Sequence, residues 1–237
     1  MRTEIVSYGK ESAGAPEWIP LVFLGFFALI LAAAVMAGRR KRELFEAVSS
    51  FLQGEAGGSS FLQNFYFKGS YKARPVRLKY SPSGKNRPSY LYVSLEDPLF
   101  VFDLDITRED AVTSVLDAIG LAKDIRTGDE AFDSRFRIKS ELPDLARKYL
   151  AAPGVRERIA ALFGEDGASL QLRARGATIP GLIKFCRRSP ELERELSSQQ
   201  LLPLLDTLAQ LSSPALGAEL FGKPPAGGFA PGRKQGY

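Results

Sequence analysis

Histidine is absent from all 237 residues, and cysteine occurs once, at Cys186. The first absence removes Ser-His-Asp and Cys-His catalysis and histidine-ligated zinc, each of which needs an imidazole as base or ligand. The second removes an internal disulfide and any cysteine-built metal centre, and a lone thiol fits a reducing compartment. There is no GxxxxGK(S/T) loop and no GxGxxG, so the usual glycine cradles for phosphate are missing too. Charge is missing from one long stretch. Trp18 to Gly38 runs for 21 residues without an ionisable side chain, and Arg39, Arg40, Lys41 and Arg42 follow at once.

As a helix that stretch covers roughly 31 Å, close to the hydrocarbon thickness of a bilayer. Its content is Leu, Phe, Ile, Val and Ala, with Pro20 in the first turn, where a missing N–H costs little. Trp18 stands where an interfacial anchor stands. A cleaved signal peptide needs a basic stretch first and a shorter apolar run. Here Glu4, Glu11 and Glu17 face only Arg2 and Lys10 beforehand, and the basic cluster comes afterwards. A buried core helix is not apolar on every face in a domain of this size. Lys and Arg stay on the cytoplasmic side, so Arg39, Arg40, Lys41 and Arg42 place the N-terminus outside and the following domain in the cytoplasm of a bacterial inner membrane.

The net charge of +5 is unevenly placed. Residues 43–220 hold 23 basic and 24 acidic side chains, so the positive excess belongs to the flank of the span and the tail. A nucleic-acid binder concentrates cations on the domain face that tracks phosphate, and a domain of net charge −1 argues against one. Within it, charge comes in blocks: seven Lys or Arg and no acid from Ala56 to Leu95, then eleven acids against three bases from Glu96 to Asp133. Two readings follow. Neighbouring strands pair these blocks and cancel them, or the basic block, with Lys72, Arg74, Arg77 and Lys79, faces anionic lipid.

The pattern along the chain predicts an α+β domain built on an antiparallel sheet with packed helices. Leu44, Phe45, Val48, Phe51 and Leu52 share a helical face. Gly54, Gly57, Gly58, Ser59 and Ser60 read as a flexible link. Strands are expected at 61–71, 76–80, 90–95, 99–106, 135–139, 170–173 and 179–185. Helices are expected at 107–120, 142–150, 153–164 and 189–212, the last bent or split at Pro203. The resulting division is a short extracytoplasmic tail (1–17), a transmembrane helix (18–38), a juxtamembrane helix and linker (39–60), a cytoplasmic α+β domain (61–216) and a disordered basic Gly/Pro tail (217–237).

Two motifs carry resemblances. Phe102-Asp103-Leu104-Asp105-Ile106-Thr107 resembles the first motif of haloacid-dehalogenase-type phosphatases. The resemblance implies Asp103 as nucleophile, Asp105 as acid/base and magnesium as cofactor. Gly128, Asp129 and Asp133 imitate that family's last acidic motif. The interval from Asp105 to Asp129 holds one predicted helix and one lysine, Lys123, where the family needs several βα units, and Ile106 replaces its usual Gly. The run from Thr127 to Ile138, TGDEAFDSRFRI, resembles the TGD..FD..F.V segment of bacterial single-pass membrane proteins of unknown function, with Ile138 in place of Val. It covers residues 120–175 with the elements that follow, and it implies no activity. Gly128 and Asp129 suit a tight turn, and Phe132 and Phe136 suit a core. Cys186 beside Arg187 and Arg188 reads either as an activated or palmitoylated thiol or as an inert, partly buried one.

Together these features point to a membrane-anchored cytoplasmic scaffold, accessory subunit or interaction module without catalytic activity or cofactor. Its expected partners are the lipid bilayer and a protein of a membrane complex, and not nucleic acid. The alternatives are a peripheral domain that senses anionic lipid through Lys72, Arg74, Arg77 and Lys79, and a magnesium-dependent phosphatase using Asp103 and Asp105.

Overall fold

A computed structural model describes residues 18–59, 64–85, 87–96, 102–108, 125–174 and 181–212. Helix α1 covers Trp18–Val48. Its 31 residues extend about 46 Å. It does not stop where the apolar run stops, and residues 39–42 form a middle turn of one continuous helix. The large side chains from Leu21 to Met36 are exposed, whereas Phe45, Val48 and, just past the helix end, Leu52 are buried. Among the described residues nothing covers the first part, which is long and apolar enough to cross a membrane.

Beyond α1 come β1 (Gln53–Ser59), β2 (Asn64–Tyr71), β3 (Arg74–Ser81), β4 (Tyr90–Glu96) and β5 (Leu104–Arg108), then α2 (Glu130–Asp133) and β6 (Phe136–Lys139). Helices α3 (Pro143–Ala151) and α4 (Val155–Phe163), strands β7 (Gly167–Arg173) and β8 (Leu182–Arg188), and helices α5 (Leu192–Glu195) and α6 (Ser198–Leu211) complete the described elements. The eight strands form one antiparallel sheet in the order β1-β2-β3-β4-β8-β7-β5-β6. The architecture is therefore α+β: an N-terminal apolar helix, an antiparallel sheet and packed helices.

Period-two burial decides which face is covered. Val76, Leu78 and Tyr80 of β3 and Leu91, Val93 and Leu95 of β4 are buried, while their alternates are exposed or half-buried. These residues join Phe45 and Val48 of α1, Ile159 and Phe163 of α4, and Leu201, Leu205 and Leu208 of α6 in one core. Aromatic rings tie it together, with Phe45 stacked on Phe65 at 6.4 Å and Phe163 edge-on to Phe185 at 5.7 Å. No described helix packs on the other face of the sheet.

Four sequence expectations need correction. The Gly/Ser stretch read as a flexible link is an edge strand, β1, paired with β2 along its length. Its glycines sit where β2 leaves no room for a Cβ, and at Gly54 the backbone of Lys68 and Gly69 is closer still than the nearest ring. A Cβ on Gly54 would meet Phe67 Cζ at 2.6 Å, and one on Gly57 would meet the Tyr66 ring at the same distance. The basic and acidic blocks pair across neighbouring strands at Arg77 and Glu96, but the acidic strand β5 does not neighbour the basic strands, because β8 and β7 lie between β4 and β5. The C-terminal helix is split at Leu196 and Ser197 rather than at Pro203, which sits inside α6. Thr107 and Arg108, expected to start a helix, instead end β5, where both pair with β6. The rest of that expected helix, 109–120, and the segments 1–17 and 217–237 lie outside the described residues.

The packing of α1 yields a paired prediction. Phe45→Ala should cost about 3–5 kcal/mol in denaturant unfolding of the detergent-solubilised chain. Phe26→Ala, on the exposed part of the same helix, should stay within about 0.5 kcal/mol.

Candidate functional site

The cationic turn of α1 is the first place where chemistry gathers. Arg42 pairs with Glu46 one turn along at 2.7 Å. Arg40 reaches across to Glu193 of α5 at 3.1 Å. The Lys41 ammonium lies over the Tyr80 ring, 5.1 Å from its centre, and burial pushes its pKa below the usual lysine value. Trp18 opens the helix and is exposed. Between α1, the end of β3 and the Pro190–Arg194 segment lies a groove of about 640 Å³. Of the residues expected to signal topology, Arg40 and Lys41 thus also contact the domain beyond α1, which spacing alone did not reveal.

The four cations proposed to face lipid do not share a surface. Lys72 occupies the β2–β3 turn and forms an ion pair with Asp206 of α6. Arg74 donates to Ser212 Oγ at 2.6 Å. Both lie at the opposite end of β3 from Tyr80, the residue beside Lys41. Lys72 and Ala73 take the two-residue turn at φ of 50° and 61°, a left-handed conformation costly for side-chain-bearing residues. Asp206, hydrogen-bonded to Tyr71 as well as to Lys72, holds that turn against α6, and these bonds keep its carboxyl below the usual range.

Arg77 and Lys79 instead stand on the sheet face opposite the helices. There the register sets Lys79 between Tyr66 and Tyr92, and Arg77 between Lys68 and Ser94. Lys184 of β8 registers with Ser94 and lies over the Tyr92 ring at 4.9 Å. Lys68 lies over Tyr66 at 5.0 Å, and Glu96 offsets Arg77 at 3.4 Å. A shallow depression of about 630 Å³ runs over β3, β4 and β8. Lys68 and Lys184 were not among the expected site residues. Their alternation was readable, but the pairing of β4 with β8 was not.

Asp103 and Asp105 are engaged within the sheet. Arg173 of β7 binds Asp105 through two bonds of 2.9 Å, and it approaches Asp103 at 3.8 Å. The Ala174 N–H donates to Asp103 Oδ1 at 2.6 Å. Arginine, not lysine, stands between the two carboxylates. Among the described residues no group of three or more His, Cys, Asp or Glu could hold a metal ion.

The TGD..FD segment is closed on itself. The Thr127 and Gly128 N–H groups and the Thr127 hydroxyl donate to the Asp133 carboxylate at 2.8–3.1 Å. Asp129 caps α2 through the Phe132 N–H and pairs with Arg156 of α4 at 3.0 Å. Phe132 and Phe136 meet at 4.7 Å in the core. Burial opposes ionisation of Asp133, but these donors and nearby Arg126 outweigh it and hold its pKa below the ordinary value. Cys186 is buried, and burial pushes its thiol pKa up despite hydrogen bonds from Tyr92 and Ser169, so Arg187 and Arg188 do not activate it.

No family model matches the chain, and no curated protein matches it in sequence. Among solved structures it is similar to the crystal structure of the mycobacterial trehalose monomycolate transport factor A, TtfA. The TM-score is 0.46 at 11% identity, covering 79% of this chain and 97% of that one.

Two outcomes follow from the site geometry. Asp133→Ala strands three donors and should cost about 1–3 kcal/mol at pH 7 by denaturant titration. Because the native carboxyl titrates below its unfolded value, that difference is full above about pH 4 and shrinks as the pH falls through the native pKa. Cys186 should resist maleimide in the folded chain and react fully on denaturation, and rapid labelling of the folded chain would contradict the burial.

Proposed function

We propose that the protein is a single-pass membrane anchor for an interaction module, oriented with its N-terminus outside and its domain in the cytoplasm. It serves as a scaffold or accessory subunit of a membrane complex. The observation that carries this reading is the continuity of α1, apolar and exposed from Leu21 to Ala37 and buried in the domain core at Phe45 and Val48. A helix that only targeted the chain would have no reason to pack into the fold. A flexible tether would leave the domain free, whereas this join fixes which faces of the domain meet the bilayer and which meet the cytoplasm. The cluster Arg39–Arg42 supports the cytoplasmic side for the domain.

The partner surface is the open sheet face. Lys68, Arg77, Lys79 and Lys184 give it a positive field, with tyrosines for contact area, and an acidic protein surface complements it. Single-stranded nucleic acid needs free aromatic faces for stacking, and here Tyr66 and Tyr92 are each covered by a lysine ammonium.

The test uses the full chain in its own membrane. With Cys186→Ser as background, a cysteine at Ser12 should react with an impermeant maleimide in intact cells, and one at Ser83 should react only after permeabilisation. A photocrosslinker at Lys79 should trap a protein partner, and one at Arg147 on the helical side should not. Reversed labelling, equal crosslinking at the two positions, or crosslinking of Lys79 to RNA would each overturn the reading. So would magnesium-dependent hydrolysis of a phosphate ester that Asp103→Asn abolished.

A further inference from the structure

The groove beside the cationic turn differs from the open sheet face in position and in chemistry. Ala37, Arg40, Lys41 and Leu44 all line it, and at spacings of three and four they form one stripe along α1. The same stripe continues upward through Ala33, Ile30 and Phe26, which are exposed. An apolar track therefore leads directly into the groove from the part of the helix that can cross a membrane. Ala37 lies one residue before the uncharged run ends at Gly38. The groove opens at the level of lipid headgroups, on the reading that α1 spans the bilayer.

Its charges are incompletely balanced. Arg40 is paired with Glu193, and Arg194 with Glu191 at 3.3 Å. Among the described residues Lys41 has only the face of Tyr80. The groove thus carries one cation more than its acids neutralise, and that cation is partly withdrawn from water. A lysine ammonium in such a place is stabilised by an anion that brings its own apolar body, and a singly charged phosphodiester on a diacylglycerol has that composition. The volume of about 640 Å³ suits a small headgroup. An acidic protein side chain would have to enter the headgroup layer to reach Lys41, whereas a phospholipid is already there.

We propose that this groove binds one anionic phospholipid. Its phosphate sits by Lys41, with Arg40 free to share between Glu193 and the lipid, and an acyl chain lies along Ala37, Ala33 and Ile30. The site is distinct from Lys72, Arg74, Arg77 and Lys79. It rests on the reading of α1 as a span.

The experiment is lipid retention by the full chain. The protein in neutral detergent is mixed with phosphatidylglycerol and phosphatidylcholine, repurified, and its bound lipid is measured by native mass spectrometry. About one phosphatidylglycerol per chain should remain, with little phosphatidylcholine. The double variant Arg40→Gln, Lys41→Gln should lower retention about tenfold or more. Arg39→Gln with Arg42→Gln, which removes the same charge outside the groove, should leave it near the wild-type level. Equal loss in both double variants would reduce the effect to general surface charge and overturn the site. Binding of sn-glycerol 3-phosphate as tight as that of the lipid would make this a free phosphate site, also against the proposal. A matched thermal unfolding profile excludes misfolding as the cause of a loss, and Lys41→Arg should retain lipid. Alkaline carbonate extraction separates the two readings. A chain that resists carbonate but retains no lipid fails the headgroup site alone, and a chain that carbonate strips from membranes fails the span and the headgroup site with it.

Discussion

The contact of Phe45, Val48 and Leu52 with the underside of β1 and β2 is the one on which the other features depend. It turns an apolar helix followed by a domain into a single body. Phe45 stacks on Phe65, and Phe65 registers with Tyr80, the ring that carries Lys41. One row of residues therefore connects the helix, the edge hairpin and the cationic turn. Because α1 descends along the strands from the Tyr80 end, the sheet has an end beside the apolar part of α1 and a distal end, and every charged group acquires a place relative to that apolar part.

That placement explains why charge with one sign in the sequence serves different purposes in the fold. Of the cations at residues 39–42, Arg40 reaches Glu193 of α5 and, with Lys41, lines a groove beside the apolar part of α1. Lys72 and Arg74 secure the distal end to α6. Arg77 and Lys79 join Lys68 and Lys184 on the face away from the helices. Sequence blocks of charge say little about surfaces when neighbouring positions in a strand point to opposite faces.

Much of this was legible in the residues. The uncharged run marked a helix long and apolar enough to cross a membrane, and period-two alternation at Val76, Leu78 and Tyr80 marked a half-buried strand with its outward cations. The spacing of Phe45 and Val48 marked a buried helical face. The TGD..FD segment was readable as a turn with two core rings, because Gly128 and Asp129 have specific turn chemistry. What was not legible depended on distant partners. Gly54 and Gly57 have flexible-linker composition, and it is the pairing with β2, whose backbone and rings leave no room for a Cβ at either position, that makes β1 a strand. The pairing of β4 with β8 joins residues about ninety positions apart, so Lys184 could not be assigned to the same face as Arg77. The end of α5 is set by the packing of Leu196 against the core, which Pro203 does not signal.

The rigid join between α1 and the sheet is tested most directly by a distance between them. Spin labels at Arg39 and Lys68, with Cys186→Ser as background, report it by electron–electron resonance in lipid nanodiscs. The account predicts one narrow distance distribution that is the same in detergent and in bilayer, and that broadens when Phe45→Ala removes the contact. A broad distribution in the otherwise native chain, indifferent to Phe45, would mean that the domain swings on a tether, and the orientation described here would be lost.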